Sequence, residues 1–200
     1  MIDALDGAQL EADLVRVDDA RASVVLTHPH PLYGGDRFNP VVDALFYALP
    51  DAGFTTIRFD FRGVSNSSGT HDDGNSERLD VVAALELLEL VDPESPVWLV
   101  GYSFGAFVAL NVVDPRIAGW VAIAPPLATM NTRCLADRDH RSKLLLVPEH
   151  DQFSPPEPTE DFAANWVSCR QHNIASADHF LNGHSAAVAG IVCSHLTGMS

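Results

Sequence analysis

A chain of 200 residues, 46% of them hydrophobic, is long enough to bury a substantial core and fits one domain over residues 1–200. Its formal net charge of −15 repels nucleic acid and anionic membranes, so neither is expected as a partner. No run approaches the roughly 18 consecutive apolar residues of a membrane span, and the opening MIDALDGAQLEADL carries neither a basic leader nor the apolar stretch of a signal peptide.

Short aliphatic runs alternate with amphipathic stretches along the chain, which predicts a mostly parallel sheet covered by helices on both faces. Ala22–Thr27 reads as a strand. Asn39 is a helix N-cap with Pro40 at the first helical position, and the helix through Val41 to Leu49 stops before Ala52-Gly53. Phe54–Asp60 is a second strand, followed by a loop rich in Gly, Ser and Asn to about Asn75. A helix is predicted from Ser76 to Leu90, because Val81, Ala84, Leu85 and Leu88 fall on one stripe. Val97–Tyr102 is a buried strand that runs straight into a helix at Ser103. Ile117–Ala124 and Lys143–Val147 are further apolar strands. Arg170–Ser176 is polar enough to suit a sheet edge, and a last helix is expected from about Ser185 to Leu196. No internal repeat or linker divides the chain.

The strongest chemical signal is Gly101-Tyr102-Ser103-Phe104-Gly105, a G-x-S-x-G segment joining a strand to a helix. In that setting the serine sits in strained backbone, with small neighbours at 101 and 105, and projects above the sheet as a nucleophile. Elsewhere the same segment is merely a tight turn with a serine N-cap. A serine nucleophile needs a general base and an acid to orient it, and this fold supplies them in the order Ser, Asp or Glu, His. Asp151 follows the strand ending at Val147 and is the preferred acid, with Glu149 as a decoy. His179 follows the last strand and is the base. Asp178 adjoins it too closely in sequence to orient it readily. The oxyanion donors are expected to be the backbone N–H of Phe104 and one from the loop His28–Gly35. Pro29 and Pro31 have no N–H, which favours His30, with Leu32 or Tyr33 behind it. His28 and His30 lack the carboxylate or thiolate partners of a metal site. The scattered Cys134, Cys169 and Cys193 form neither a disulfide framework nor metal spacing, so a reducing cytoplasm is the expected compartment. No metal and no cofactor are expected. Lys143 is the only lysine, which fits salt adaptation or a plain preference for arginine.

Taken together, HPHPLYGG at 28–35, Asn39 with Val41-Val42, FDFRG at 59–63, GYSFGA at 101–106 and ADHF at 177–180 resemble the dienelactone-hydrolase-like branch of the small α/β-hydrolases. The resemblance runs from Ser23 nearly to the end of the chain. It implies a three-layer α/β-hydrolase fold with a minimal lid, no cofactor, and a triad of Ser103, Asp151 and His179. Two stretches depart from the pattern: Val64–Gly69 replaces a more glycine-rich loop, and Pro148-Glu149-His150 stands where a glycine is usual. Arg62 is read as structural, bracing its loop through carbonyls.

These readings favour a carboxylesterase-type serine hydrolase working through an acyl-enzyme. The same machinery acting on a lactone, thioester or amide remains open, as does a non-catalytic binding module. Only Pro125–Ser142 is free to cover the site, so short acyl groups are expected, with Leu32, Tyr33, Pro126, Leu127 and Met130 as pocket candidates beside Pro125. The expected partner is a small-molecule ester, with a homodimer left open.

Overall fold

The computed structural model describes residues 1–130 and 132–199. Its first elements are short strands that local patterning does not announce: β1 (Ile2–Asp3) and β2 (Gln9–Leu10) pair antiparallel as a separate hairpin. The strands that follow are β3 (Ala12–Val15), β4 (Ala22–Thr27), β5 (Phe54–Phe59), β6 (Val97–Tyr102), β7 (Ile117–Ile123), β8 (Ser142–His150) and β9 (Cys169–Asp178). They form one sheet in the order β3-β5-β4-β6-β7-β8-β9. Every pairing is parallel except β3 against β5, at one edge.

Burial explains why those runs are apolar throughout. β4, β5 and β6 are buried at every position, as parallel strands covered on both faces must be. Alternate side chains serve opposite layers: Val97 and Leu99 of β6 join one core cluster, whereas Trp98, Val100 and Tyr102 join the other. The covering helices are α1 (Pro40–Asp51), α2 (Glu77–Val91), α3 (Phe104–Leu110), α4 (Leu127–Met130), α5 (Pro156–Ala163) and α6 (Ser185–Met199). Val41, Leu45 and Leu49 of α1 meet Val188, Val192 and Leu196 of α6 on one face. Val81, Leu85 and Leu88 of α2 pack with Ala106 and Phe107 of α3 on the other. The predicted stripe of α2 is fully buried, each of its large side chains contributing about 1.5–3 kcal/mol. At the start of α1, Asn39 Oδ1 accepts from Val41 N–H at 3.0 Å ahead of Pro40, as the cap pattern predicts.

Polar pairing, invisible to hydrophobic periodicity, builds the N-terminal edge. Asp13 on β3 accepts from Arg58 Nε at 3.0 Å and Arg37 Nε at 3.2 Å. Arg37 also pairs with Asp60 and Glu11. Arg62 is structural, but through carboxylates rather than carbonyls. It is bonded to Asp80 on α2 (Nη2–Oδ1 2.6 Å) and to Asp6 beside the hairpin (Nη1–Oδ2 2.7 Å). A carboxylate supplies the counter-charge of a buried guanidinium, which a carbonyl oxygen does not. Lys143 is only 1% exposed. Its ammonium donates to the carbonyls of Asp139 and Arg141, both at 2.7 Å, and lies 5.4 Å from the Trp120 ring centre; burial lowers its pKa.

The far edge is the polar β9, as expected, although it extends beyond the predicted bounds at both ends. β8 likewise continues through Pro148, Glu149 and His150, where its pairing with β9 becomes irregular. Cys134, Cys169 and Cys193 are free thiols. Among the described residues no helix is long and apolar enough to cross a membrane.

Candidate active site

Ser103 lies at the tip of β6 with φ +53° and ψ −119°, a conformation that costs a side-chain-bearing residue about 1–3 kcal/mol. Backbone bonds hold it there: Ser103 N–H donates to Ile123 O at 2.8 Å, and Phe107 N–H donates to Ser103 O at 3.1 Å. The flanking glycines are steric requirements. A Cβ on Gly101 would lie 2.6 Å from Ala106 Cα, and one on Gly105 would lie 2.5 Å from the His28 carbonyl oxygen. The strand and helix therefore pass closely enough to lift the Ser103 side chain off the sheet, and the residue is 9% exposed.

His179 leaves the end of β9 and turns back toward this serine. Its Nε2 is 2.9 Å from Ser103 Oγ, and its Nδ1 is 2.8 Å from Asp151 Oδ2. The other Asp151 oxygen accepts from Phe153 N–H (2.8 Å) and Ser154 N–H (2.9 Å), so the buried carboxylate is fixed on both sides. A carboxylate on Nδ1 selects the tautomer whose Nε2 accepts a hydroxyl proton. The other acids are occupied elsewhere. Glu149 is exposed and accepts from Ser176 N–H at 2.7 Å, whereas Asp178 accepts from Phe180 N–H at 3.0 Å.

Hydrogen bonding also engages several of the N–H groups considered as oxyanion donors. Pro31–Tyr33 forms a single 3₁₀ turn. In it Leu32 N–H donates to His30 Nδ1 (3.2 Å), and the N–H groups of Tyr33 and Gly35 donate to His30 O (both 3.1 Å). Among the described residues no bond engages His30 N–H or Phe104 N–H, the latter being an unpaired first-turn donor of α3. The two side-chain rings are 4.8 Å apart. Burial, then the neighbouring His71, lowers the His30 pKa, which leaves Nδ1 free as an acceptor at neutral pH.

His28 is a brace. Its Nδ1 donates to Pro29 O at 2.7 Å and its Nε2 accepts from Phe61 N–H at 3.0 Å. Among the described residues no cluster of three His, Cys, Asp or Glu side chains is arranged to hold a metal ion. Burial pushes the His28 pKa down to about 4, below the ordinary histidine value of about 6.5. Between those values the unfolded chain binds a proton that the folded one refuses. Stability from neutral His28 is therefore complete above the unfolded value and is lost as pH falls toward the folded one, by about 3 kcal/mol at most. Urea unfolding of wild type and His28→Gln at pH 7 and pH 4.5 tests this. The wild type should lose markedly more stability on acidification, and equal losses would rule the linkage out.

Patterning alone did not single out several neighbours. Phe153 packs edge-on against His179 with ring centres 4.6 Å apart. His71 lies 4.8 Å from His30 and 5.2 Å from Phe104 between ring centres. Its Nδ1 is 2.7 Å from Glu77 Oε1, a close contact poorly angled for a hydrogen bond. Glu77 is fully buried and accepts from Asp72 N–H and Gly74 N–H, pinning the loop that carries His71.

A cleft of about 250 Å³ is lined by Asn39, Pro40, Val41, Tyr102, the turn from Phe180 to Gly183, and Ser185. The sequence-derived pocket residues are placed differently. Leu32 and Tyr33 are exposed on the loop, Pro126 and Met130 are half-buried, and Leu127 is fully buried within the core rather than open to a cleft. Its apolar side chain packs inward from the short α4, which is why it reads as a pocket residue in sequence. A larger hollow of about 440 Å³ between Arg133, Arg138, Phe162 and Trp166 touches none of the Ser103 partners. Asn131, within the predicted covering segment, lies outside the described residues.

Known proteins share this architecture. The structure of an alpha-beta serine hydrolase homologue from Coxiella burnetii matches with TM-score 0.84 at 30% identity, covering 94% of this chain and 92% of that one. An α/β serine hydrolase without a lid from Xanthomonas campestris matches with TM-score 0.83 at 25% identity, over 99% and 92% of the two chains. An uncharacterized protein of Rickettsia prowazekii is 38% identical over 127 residues, 62% of this chain and 53% of that protein. The chain thus spans about half the length of this curated relative. Residues 24–194 match the profile of the alpha/beta hydrolase family, and with that match across a parallel sheet bearing Ser103 on its strand–helix turn, the chain belongs to the alpha/beta hydrolase family.

Proposed function

We propose that the protein is a serine hydrolase of small carboxylic esters. One observation carries the reading: an unbroken hydrogen-bonded chain from Asp151 through His179 to Ser103 Oγ, with the serine held in strained backbone. In this reading Ser103 Oγ attacks the ester carbonyl carbon while His179 Nε2 takes its proton, and Asp151 stabilises the imidazolium. The negative charge on the former carbonyl oxygen is met by the N–H groups of Phe104 and His30. Collapse breaks the carbon–oxygen bond to the alcohol, which leaves with the proton from Nε2. A water molecule, deprotonated by the same nitrogen, then attacks the acyl carbon; the acyl–Oγ bond breaks, the acid leaves, and Nε2 returns the proton to Ser103 Oγ. The partner is the ester itself, and the scheme calls on no cofactor. The HPHP, FRG and DHF segments support a place in the dienelactone-hydrolase-like branch.

Short acyl groups suit the surroundings. Between β7 and β8 the described residues supply only the four-residue α4 and a 3₁₀ turn at Leu135–Arg138, too little chain to wall a long tunnel. Each methylene housed in an apolar wall gains about 0.8 kcal/mol, about fourfold in kcat/KM, and one left in water gains nothing. Across a p-nitrophenyl ester series, kcat/KM should peak at acetyl to butyryl and fall by octanoyl. A steady climb through palmitoyl would overturn the short-acyl reading, and absence of any ester hydrolysis would overturn the esterase reading.

A further inference from the structure

Tyr102 stands immediately before Ser103, yet the scheme above gives it no part. Its ring is buried, and its hydroxyl donates to the backbone carbonyl of His179 at 2.8 Å. Tyr102 ends β6 and His179 follows the last residue of β9, two strands that do not touch. β7 and β8 separate β6 from β9, a distance of about 14 Å at ordinary strand spacing. The histidine that meets Ser103 Oγ therefore starts from the sheet edge and must turn back over two strands. Regular pairing gives it little guidance, because the β8–β9 register slips between Pro148 and His150, just where His179 emerges. Its N–H reaches only Gln152 Oε1, at 3.3 Å, and Gln152 is exposed.

We infer that Tyr102 is a positioning residue whose hydroxyl clamps the His179 backbone to the strand carrying Ser103. With the 2.9 Å contact from His179 Nε2 to Ser103 Oγ, this bond closes a ring through consecutive residues 102 and 103. The base is then referenced to the nucleophile's own strand at two points, backbone and imidazole. The inference rests on the serine-hydrolase reading proposed above. A phenol suits the task because its reach is rigid, set by two torsions, and its ring is gripped by the core layer containing Val100, Ile123, Ala177 and Leu181. Burial first, and then the carboxylates of Asp151 and Asp178, raise the Tyr102 pKa, so the hydroxyl keeps the proton it donates. Removing that donor leaves a buried carbonyl unpaired, and the loop regains a partner only by shifting toward water. Such a shift moves Nε2 away from Oγ, and small misplacements of a general base cost rate rather than substrate affinity.

The test is Tyr102→Phe, which deletes one oxygen and keeps the ring, with Tyr102→Leu as the variant that also loses ring packing. Rates on p-nitrophenyl acetate are counted per active site titrated with a fluorophosphonate, so unfolded protein does not enter. Tyr102→Phe should lose about tenfold in kcat, equivalent to about 1.4 kcal/mol of transition-state stabilisation, with KM nearly unchanged. If Tyr102→Phe keeps wild-type kcat, the clamp is overturned while the serine-hydrolase reading stands, and loss of kcat in Tyr102→Leu alone would assign the residue to ring packing. A rise in KM with kcat unchanged would equally overturn it. A wild type that neither reacts with the probe nor hydrolyses the ester would instead overturn the serine-hydrolase reading on which the clamp depends.

Discussion

Ser103→Ala is expected to fold like the wild type and to hydrolyse p-nitrophenyl acetate about 10⁴- to 10⁶-fold more slowly, the range typical of losing a serine nucleophile. The fold survives because the bonds that hold residue 103 are backbone bonds, to Ile123 O and from Phe107 N–H, and alanine retains both. The strain at φ +53° is also little changed, since either residue presents one Cβ to the turn. What disappears is Oγ, the atom 2.9 Å from His179 Nε2. A fluorophosphonate should label the wild type and spare the variant. Equal labelling of both proteins would move the nucleophile to another residue.

Asp151→Asn should produce the next largest loss, about 10³- to 10⁴-fold in kcat, smaller than that of Ser103→Ala because the acid orients and does not attack. The asparagine can still accept from Phe153 and Ser154 N–H through Oδ1, so the loop keeps its shape. Its amide nitrogen, however, faces His179 Nδ1 and asks that nitrogen to accept. Nδ1 then loses its proton, Nε2 gains one, and the ring can no longer take the proton of Ser103. Glu149→Gln and Asp178→Asn should stay near wild type, since those side chains serve the Ser176 and Phe180 N–H groups. A fully active Asp151→Asn beside a dead Glu149→Gln or Asp178→Asn would assign the acid elsewhere.

Local pattern carried much of this molecule and failed where distance in sequence mattered. The buried strands and the α2 stripe are legible because a two-sided parallel sheet makes its strands uniformly apolar and its helices periodic. The Asn39 cap and the turn at Ser103 are legible because each depends on two or three adjacent residue types. The hairpin Ile2–Leu10 and strand Ala12–Val15 are not. Carboxylates and guanidiniums far apart along the chain, such as Asp13 with Arg37 and Arg58, hold them in place. The same limit explains Arg62, whose partners Asp6 and Asp80 lie on opposite sides of it in sequence. Around the site, chain order was enough to nominate Ser103, Asp151 and His179. Setting Glu149 apart from Asp151, and singling out His30 as the loop candidate whose N–H is not engaged, required knowing which N–H groups were already bonded. Leu127 looks like a pocket residue until its neighbours are known, and Tyr102 looks like any strand residue until its hydroxyl is seen at the His179 carbonyl.

The burial of Lys143 has a practical reach outside catalysis. With the only lysine buried and bonded to the backbone carbonyls of Asp139 and Arg141, the folded surface presents no side-chain primary amine. Amine-directed crosslinkers and acylating dyes would find no lysine on the native protein and would modify Lys143 only as the fold opens. With the α-amino group of the exposed Met1 blocked or counted separately, an ordinary labelling reagent becomes a reporter of unfolding at a single side chain. It also means that surface cation chemistry here belongs to guanidinium and imidazole groups. Coupling strategies for this protein would therefore be designed around arginine, carboxylate or thiol chemistry.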